Sequence, residues 1–158
     1  MPSKFVFEGI TELQKVAGNY TRGKAIIHDI LKRACNKFAI ATKSVSQNKY
    51  MSQAHKGERK NETDILRVQS GQLRSRVYAE VDESENSFLV RIGVDNIPYA
   101  AIHEYGGTIL RNGKRGRTVV NIPERSYLRR ALKDTLDPFT EDVASLIVGA
   151  ARSGFSNG

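Results

Sequence analysis

Apolar residues recur at steps of three and four over two long stretches of this chain, and at steps of two over two shorter ones. In the first long stretch, from Arg22 to about Ser46, they are Ile27, Ile30, Leu31, Ala34, Phe38, Ala41 and Val45. That spacing lines one side of an α-helix and predicts a long amphipathic helix with one buried stripe. Cys35 sits beside the stripe and reads as a small buried hydrophobe. The second stretch carries Leu128, Leu132, Leu136, Phe139, Val143, Leu146 and Ala150. Asp137-Pro138 falls inside it, yet the phase holds across the proline. A kink satisfies both facts. So do two abutting helices with Asp137 as N-cap and Pro138 in the first turn, where its missing N–H does no harm.

The period-two stretches are Val77, Ala79 and Val81, then Phe88, Val90, Ile92 and Val94, on either side of a polar turn from Asp82 to Asn86. This is a β-hairpin signature. Asn96-Ile97-Pro98 ends the second strand, and Tyr99 to Tyr105 fits one or two helical turns closed by Gly106-Gly107. A second hairpin over 108–121 pairs Thr108–Leu110 with Thr118–Asn121 around the tip Arg111-Asn112-Gly113-Lys114-Arg115-Gly116-Arg117. Near the start, Phe5-Val6-Phe7 reads as a short strand, and Thr11 to Gln14 has capping-box spacing for a helix over about 12–17. Residues 47–64 are polar and aperiodic and predict a mobile loop or arm. Tyr50 and Met51 within it are apolar enough to anchor on a neighbouring molecule, or simply on their own domain. The tail, 152–158, is expected to fray. The whole predicts a single α+β domain over 1–151, a small, mostly antiparallel sheet packed against a long N-terminal helix and a C-terminal helix.

Composition adds little to this except in charge. At 158 residues with 39% apolar and 27% charged residues, the chain has the make-up of one globular domain. No run approaches the ~18 apolar residues of a membrane-spanning helix, and Met1-Pro2-Ser3-Lys4 lacks the apolar stretch of a signal peptide, so synthesis in a cytoplasm is expected. Residues 111–133 hold Arg111, Lys114, Arg115, Arg117, Arg125, Arg129, Arg130 and Lys133 against the single acid Glu124, so this segment carries +7 of the net +8. Such clustering marks a nucleic-acid surface, a solvated loop, or an interface with an acidic partner. No aromatic residues interleave with the tip arginines to stack bases, and no recognition helix precedes them, which argues against sequence reading.

Catalytic patterns are poorly supported. There is no nucleophile elbow, phosphate loop or dinucleotide fingerprint. His103-Glu104 is the most enzyme-like pair, but neighbours on a helix do not share a face. His28, His55, His103 and the lone Cys35 lack ligand spacing, so no metal and no cofactor is expected. Gly106-Gly107 follows a helix instead of opening one, which suits a chain reversal better than a phosphate site.

Three ordered segments now combine. Ser70-Gly71-Gln72-Leu73-Arg74-Ser75 resembles the Thr/Ser-Gly-x-Leu-Arg-x-Ser motif of the tailed-phage neck and tail-completion family. Pro98-Tyr99-Ala100-Ala101-Ile102-His103-Glu104-Tyr105-Gly106-Gly107 is similar to its Pro-Tyr-Ala-x-Ile/Val-x-Glu-Phe/Tyr-Gly core. Ile122-Pro123-Glu124-Arg125-Ser126-Tyr127-Leu128 resembles its Ile-Pro-x-Arg-Pro-Phe-Leu lead-in to the last helix, and Phe7 to Leu13 resembles its N-terminal Gly-Leu-x-x-Leu element. Ser126 stands where the family often has a second proline, and Pro138 interrupts a helix that is usually continuous.

On physical grounds the motif residues are scaffold. Pro98 stops a strand, Tyr99 and Ile102 pack beneath the sheet, and Pro123 and Arg125 start the last helix while Tyr127 and Leu128 plug it into the core. The resemblance implies a virion protein and no enzyme. Its members form a ring, typically a hexamer, that completes the tail and joins the tail tube to the head's portal and connector proteins. Candidate partner-arm residues are then Tyr50, Met51, Lys56, Arg59 and Lys60. Arg111, Lys114, Arg115 and Arg117 become candidates for a subunit interface or for non-specific contact with DNA in the lumen. No membrane is implied. A basic nucleic-acid-binding module acting through 111–133 is the alternative.

Overall fold

A computed structural model describes residues 3–6, 21–53, 66–68, 71–84, 87–113 and 116–155. The predicted stripes become two helices, α1 (Thr21–Val45) and α4 (Tyr127–Phe155). They lie antiparallel: Phe38 packs on Phe139 with ring centroids 4.6 Å apart, while Thr42 meets Thr135, lower in number, at 2.7 Å. Leu31, Ala34, Cys35, Phe38 and Ala39 of α1 are buried with Tyr127, Leu128, Ala131, Phe139 and Val143 of α4. The Thr42–Thr135 pair lies within this seam: one hydroxyl donates to the other, which donates to the carbonyl one turn back on its own helix (Phe38 O lies 2.8 Å from Thr42 Oγ1 and Ala131 O 2.9 Å from Thr135 Oγ1). These hydrogen bonds offset the desolvation cost of burying the two hydroxyls. At the rim, Lys37 reaches Asp142 at 2.5 Å.

Strands β1 (Ser3–Val6), β4 (Val77–Ser84) and β5 (Ser87–Val94) form an antiparallel sheet in the order β1-β5-β4. The hairpin register puts Val77 opposite Val94 and Ser84 opposite Ser87. Phe88, Val90 and Ile92 are buried against the helices, as their alternation requires. On the other face the Tyr78 ring lies over Gly93, whose missing side chain makes room for it.

Two expectations change here. Tyr50 and Met51 are not displayed on an arm: α1 runs on through a π-helical turn, Ser46–Tyr50, and strand β2 (Met51–Gln53) follows at once. The extra residue of the wider turn redirects the chain, so Tyr50 and Met51 point into the core at 5% and 1% exposure. The Tyr50 hydroxyl donates to Asp134 at 2.6 Å beside Lys49, at 2.7 Å from the same oxygen. Strand β2 then pairs in parallel with β3 (Leu66–Val68), a contact between two three-residue strands. Lys56, Arg59 and Lys60, and the helix expected over 12–17, lie outside the described residues.

Pro138 falls inside one continuous α4, so the two-helix alternative does not hold, and the helix runs past Arg152 to Phe155. Leu146, expected in the stripe, is 46% exposed. The fold class is α+β, as the periodicities predict.

Candidate interaction surface

The motif segments 98–107 and 122–128 meet around the N-terminus of α4. After β5, Ala100 N–H donates to Ile97 O at 3.1 Å and closes a turn over Pro98, and α3 (Ala100–Tyr105) follows. Gly106 has φ +71°, and a Cβ there would lie 2.8 Å from the backbone N of Glu124. Only glycine permits this reversal. The chain then enters the hairpin of β6 (Gly107–Gly113) and β7 (Gly116–Ile122) and returns through Pro123. The return is fastened to α3 by two backbone bonds, Arg125 N–H to His103 O at 3.0 Å and Ser126 N–H to Glu104 O at 3.2 Å.

Glu104 is the centre of the junction. It is 2% exposed, and its carboxylate accepts from the backbone N–H of Leu128 at 2.9 Å and of Arg129 at 3.0 Å. These are orphan donors of the first turn of α4, so a side chain from another helix caps it and places a negative charge at the positive end of its dipole. Arg129 folds back to complete the arrangement. Its Nε lies 3.2 Å from Glu104, its Nη2 2.6 Å from Glu124, and its guanidinium 4.8 Å from the Tyr105 ring centroid. Sequence reading marked Glu104 as a fold residue but missed the cap, because the partner N–H groups lie 24 and 25 positions away.

Ser126 has φ +41°, its carbonyl accepts from Arg130 N–H at 2.9 Å, and its hydroxyl donates to the Glu124 carboxylate. A proline, locked near −65° and without an N–H, can neither reach this backbone conformation nor donate to Glu104. The serine at the position where relatives often carry proline thus matches the backbone it occupies. Tyr127, 1% exposed, donates its hydroxyl to Ala100 O at 3.2 Å, and burial pushes its pKa above the usual phenol range.

Other motif residues also prove structural. Gly71, at φ +75°, leads into α2 (Gln72–Ser75), Leu73 packs against the core, and Arg74 reaches Asn48 Oδ1 at 2.7 Å while its carbonyl accepts from Gln47 at 2.7 Å. Tyr99 departs from expectation. It is 40% exposed and stands edge-on to His103 instead of beneath the sheet, and Ile102 lies half-buried beside Gly107. His103 is half-buried; burial first, and then the Arg125 charge, hold its pKa below the usual imidazole value. Its Nδ1 and the Nε of Arg125 are buried without a hydrogen-bond partner. Glu104, the other half of the enzyme-like pair, is occupied by the helix cap. Among the described residues no cluster of three or more potential ligands could hold a metal.

The β6–β7 ribbon itself packs chiefly on itself. Every described residue of β6 is exposed, and only Val120 and Ile122 of β7 are partly covered. Cross-strand register pairs Ile109 with Val120, Leu110 with Val119, Arg111 with Thr118 and Asn112 with Arg117. Opposite residues share a face and successive ones alternate. Leu110, Val119 and Arg117 therefore lie on one face, and Arg111 lies on the other with Ile109 and Val120. The outward pair Leu110 and Val119 is 67% and 64% exposed. Arg111 and Arg117 thus do not share a face. Arg111 and Arg117 have no ion-pair partner among the described residues, unlike Arg129, and Arg130, which stacks 4.6 Å over Tyr50. Lys114 and Arg115 lie outside the described residues.

No helix among the described residues is long and apolar enough to cross a membrane. No curated protein and no solved structure matches the chain. A family model does: that of the phage virion morphogenesis family matches residues 43–151, from the last turn of α1 to near the end of α4. With more than two thirds of its length covered, Glu104, Gly106, the hairpin and the start of α4 included, the chain belongs to the phage virion morphogenesis family and has a structural or assembly role in the virion.

Proposed function

We propose that the chain is a subunit of a ring, typically a hexamer, that completes the phage tail and joins it to the head. Its action is geometric and not enzymatic: subunits associate, cap the tail-tube protein and present a docking face to the head-completion or connector proteins. The observation that carries this reading is the β6–β7 ribbon. In a virion-assembly chain it stands off a well-packed body, with both long edges unpaired among the described residues and with Leu110 and Val119 exposed. Isolated two-stranded ribbons are marginal, and unpaired edges are templates for another chain. A ribbon held at its base by Glu104 and Gly106 suits partner contact.

Sedimentation of the purified chain, alone and mixed with tail tubes, tests this. The expected result is a discrete oligomer, or a tube-bound fraction in stoichiometric amount. A chain that stays monomeric and ignores tail tubes overturns the ring. Tight, saturable binding of duplex DNA by that monomer, falling steeply with salt, would instead favour a nucleic-acid module acting through 111–133.

A further inference from the structure

The ribbon has a counterpart on the opposite side of the sequence's charge. Residues 80–85 contain Glu80, Asp82, Glu83 and Glu85 and no base; residues 111–117 contain Arg111, Lys114, Arg115 and Arg117 and no acid. The first set lies on and just beyond β4, the last strand of the β1-β5-β4 sheet, whose outer edge pairs with no strand among the described residues. Of the second set, Arg111 and Arg117 lie on the ribbon, whose outer edges pair with no strand among the described residues. Lengths also agree: β4 has eight residues and β6 and β7 seven each. Strand β1, on the far edge, has only four.

Resting on the ring reading above, we propose that the β6–β7 ribbon of one copy joins the outer edge of β4 in the next copy, a head-to-tail contact that continues the three-stranded sheet. Each copy then offers one basic ribbon and one acidic edge. The two surfaces differ, so the contact is heterologous and can close into a ring. Backbone hydrogen bonds along the edge supply most of the attachment, as in other strand additions, and opposite charge steers the approach and rejects edge-to-edge pairing of two β4 strands. Leu110 and Val119 leave water in the same step. Charge on the acidic side is only partly spent within the monomer: Glu83 holds Lys32 at 2.6 Å and Asp82 holds Arg91, while exposed Glu80 has no ion-pair partner among the described residues. DNA is the poorer occupant, because Arg111 and Arg117 point to opposite faces and the ribbon offers aliphatic residues where a phosphate track needs more bases.

The test is a charge swap on the full chain, read by sedimentation, with circular dichroism to confirm folding. The ribbon variant carries Arg111→Glu and Arg117→Glu; the edge variant carries Glu80→Lys. Each is expected to weaken self-association about tenfold or more, and the chain bearing all three substitutions to recover most of the loss. Loss in both variants without recovery overturns the pairing. Unchanged association in both overturns it too and leaves the ring reading intact, whereas an unsubstituted chain that neither self-associates nor binds tail tubes sinks both. A ribbon variant that loses duplex binding while associating normally assigns the ribbon to DNA. As a second readout, chains with Glu80→Cys and chains with Arg117→Cys are mixed and oxidised. A disulfide-linked dimer that forms only in the mixture supports the contact. Its absence under conditions where the ring forms counts against it. Cys35 does not interfere, since it is buried and burial pushes its thiol up to about 11.

Discussion

The α1–α4 seam and the β6–β7 ribbon use similar apolar residues to opposite ends. In the seam, Phe38 and Phe139 are buried to 2% and 5% exposure and pack together one turn from a hydrogen-bonded hydroxyl pair. In the ribbon, Leu110 and Val119 face water at 67% and 64% although they oppose one another in register. Hydrophobicity of a residue therefore does not say which task it serves. In the seam the partner is another part of the same chain. In the ribbon nothing among the described residues covers the pair, and the ring contact proposed above would.

The sharpest way to break the contrast is to truncate both regions alike. Phe38→Ala removes a buried ring and should lower unfolding free energy by about 3–5 kcal/mol in a denaturant melt. Leu110→Ala should change the monomer by no more than about 0.5 kcal/mol and act instead on self-association. A ribbon variant as destabilising as the core variant would show that the ribbon belongs to the body.

Between the two regions stands Glu104, and its loss should cost about 2–4 kcal/mol, because Glu104→Ala leaves two first-turn N–H groups without their acceptor and Arg129 without its buried partner. Glu104→Gln keeps an acceptor and should cost less. Hydrogen exchange would localise the effect: protection should fall at Leu128 and Arg129 and not at Val90 in the central strand. A smaller but more pointed effect is expected at the serine. Ser126→Pro installs the residue common among relatives, yet should destabilise by about 1–3 kcal/mol, since φ must leave +41° and the N–H to Glu104 is lost. Unchanged stability would mean that this loop adopts the proline-compatible conformation.

How much of this could be read from the sequence follows from the range of each interaction. Both helical stripes and both hairpins are legible because period and turn chemistry are local, and residues such as Phe38, Val90 and Tyr127 landed in the core accordingly. For Tyr50 and Met51 the sequence leaves open a neighbour or their own domain, because the π-helical turn that buries them shifts the helical phase by one residue among polar neighbours. The β2–β3 pairing rests on three-residue strands that carry no periodic signal. At the junction, Pro98, Gly106 and Gly107 announce turns, but the acceptor role of Glu104 is fixed only when α3 and α4 meet. For the ribbon, the basic tip was visible as composition. Its division between two faces needed the register.

The weakest expected effect lies at the same junction and concerns pH. His103, next to Glu104 on α3, has its pKa held down, first by burial and then by Arg125. A depressed histidine favours the neutral form in the folded state, so the unfolded chain binds more protons between the two pKa values, and stability rises with pH there. The contribution is complete above the ordinary histidine value of about 6.5 and is lost as pH falls through the lower, folded value. An NMR titration should therefore show the His103 ring titrating below about 6.5. Arg125→Ala should raise that midpoint only in part, because burial is the larger cause and remains. His103→Gln should flatten the stability profile in mildly acidic solution without altering the exposure of Leu110 and Val119. If acidification instead loosens the ribbon while the seam holds, its base is tied to the body less firmly than the bonds at Gly106 and Glu104 indicate, and the two regions are independent units.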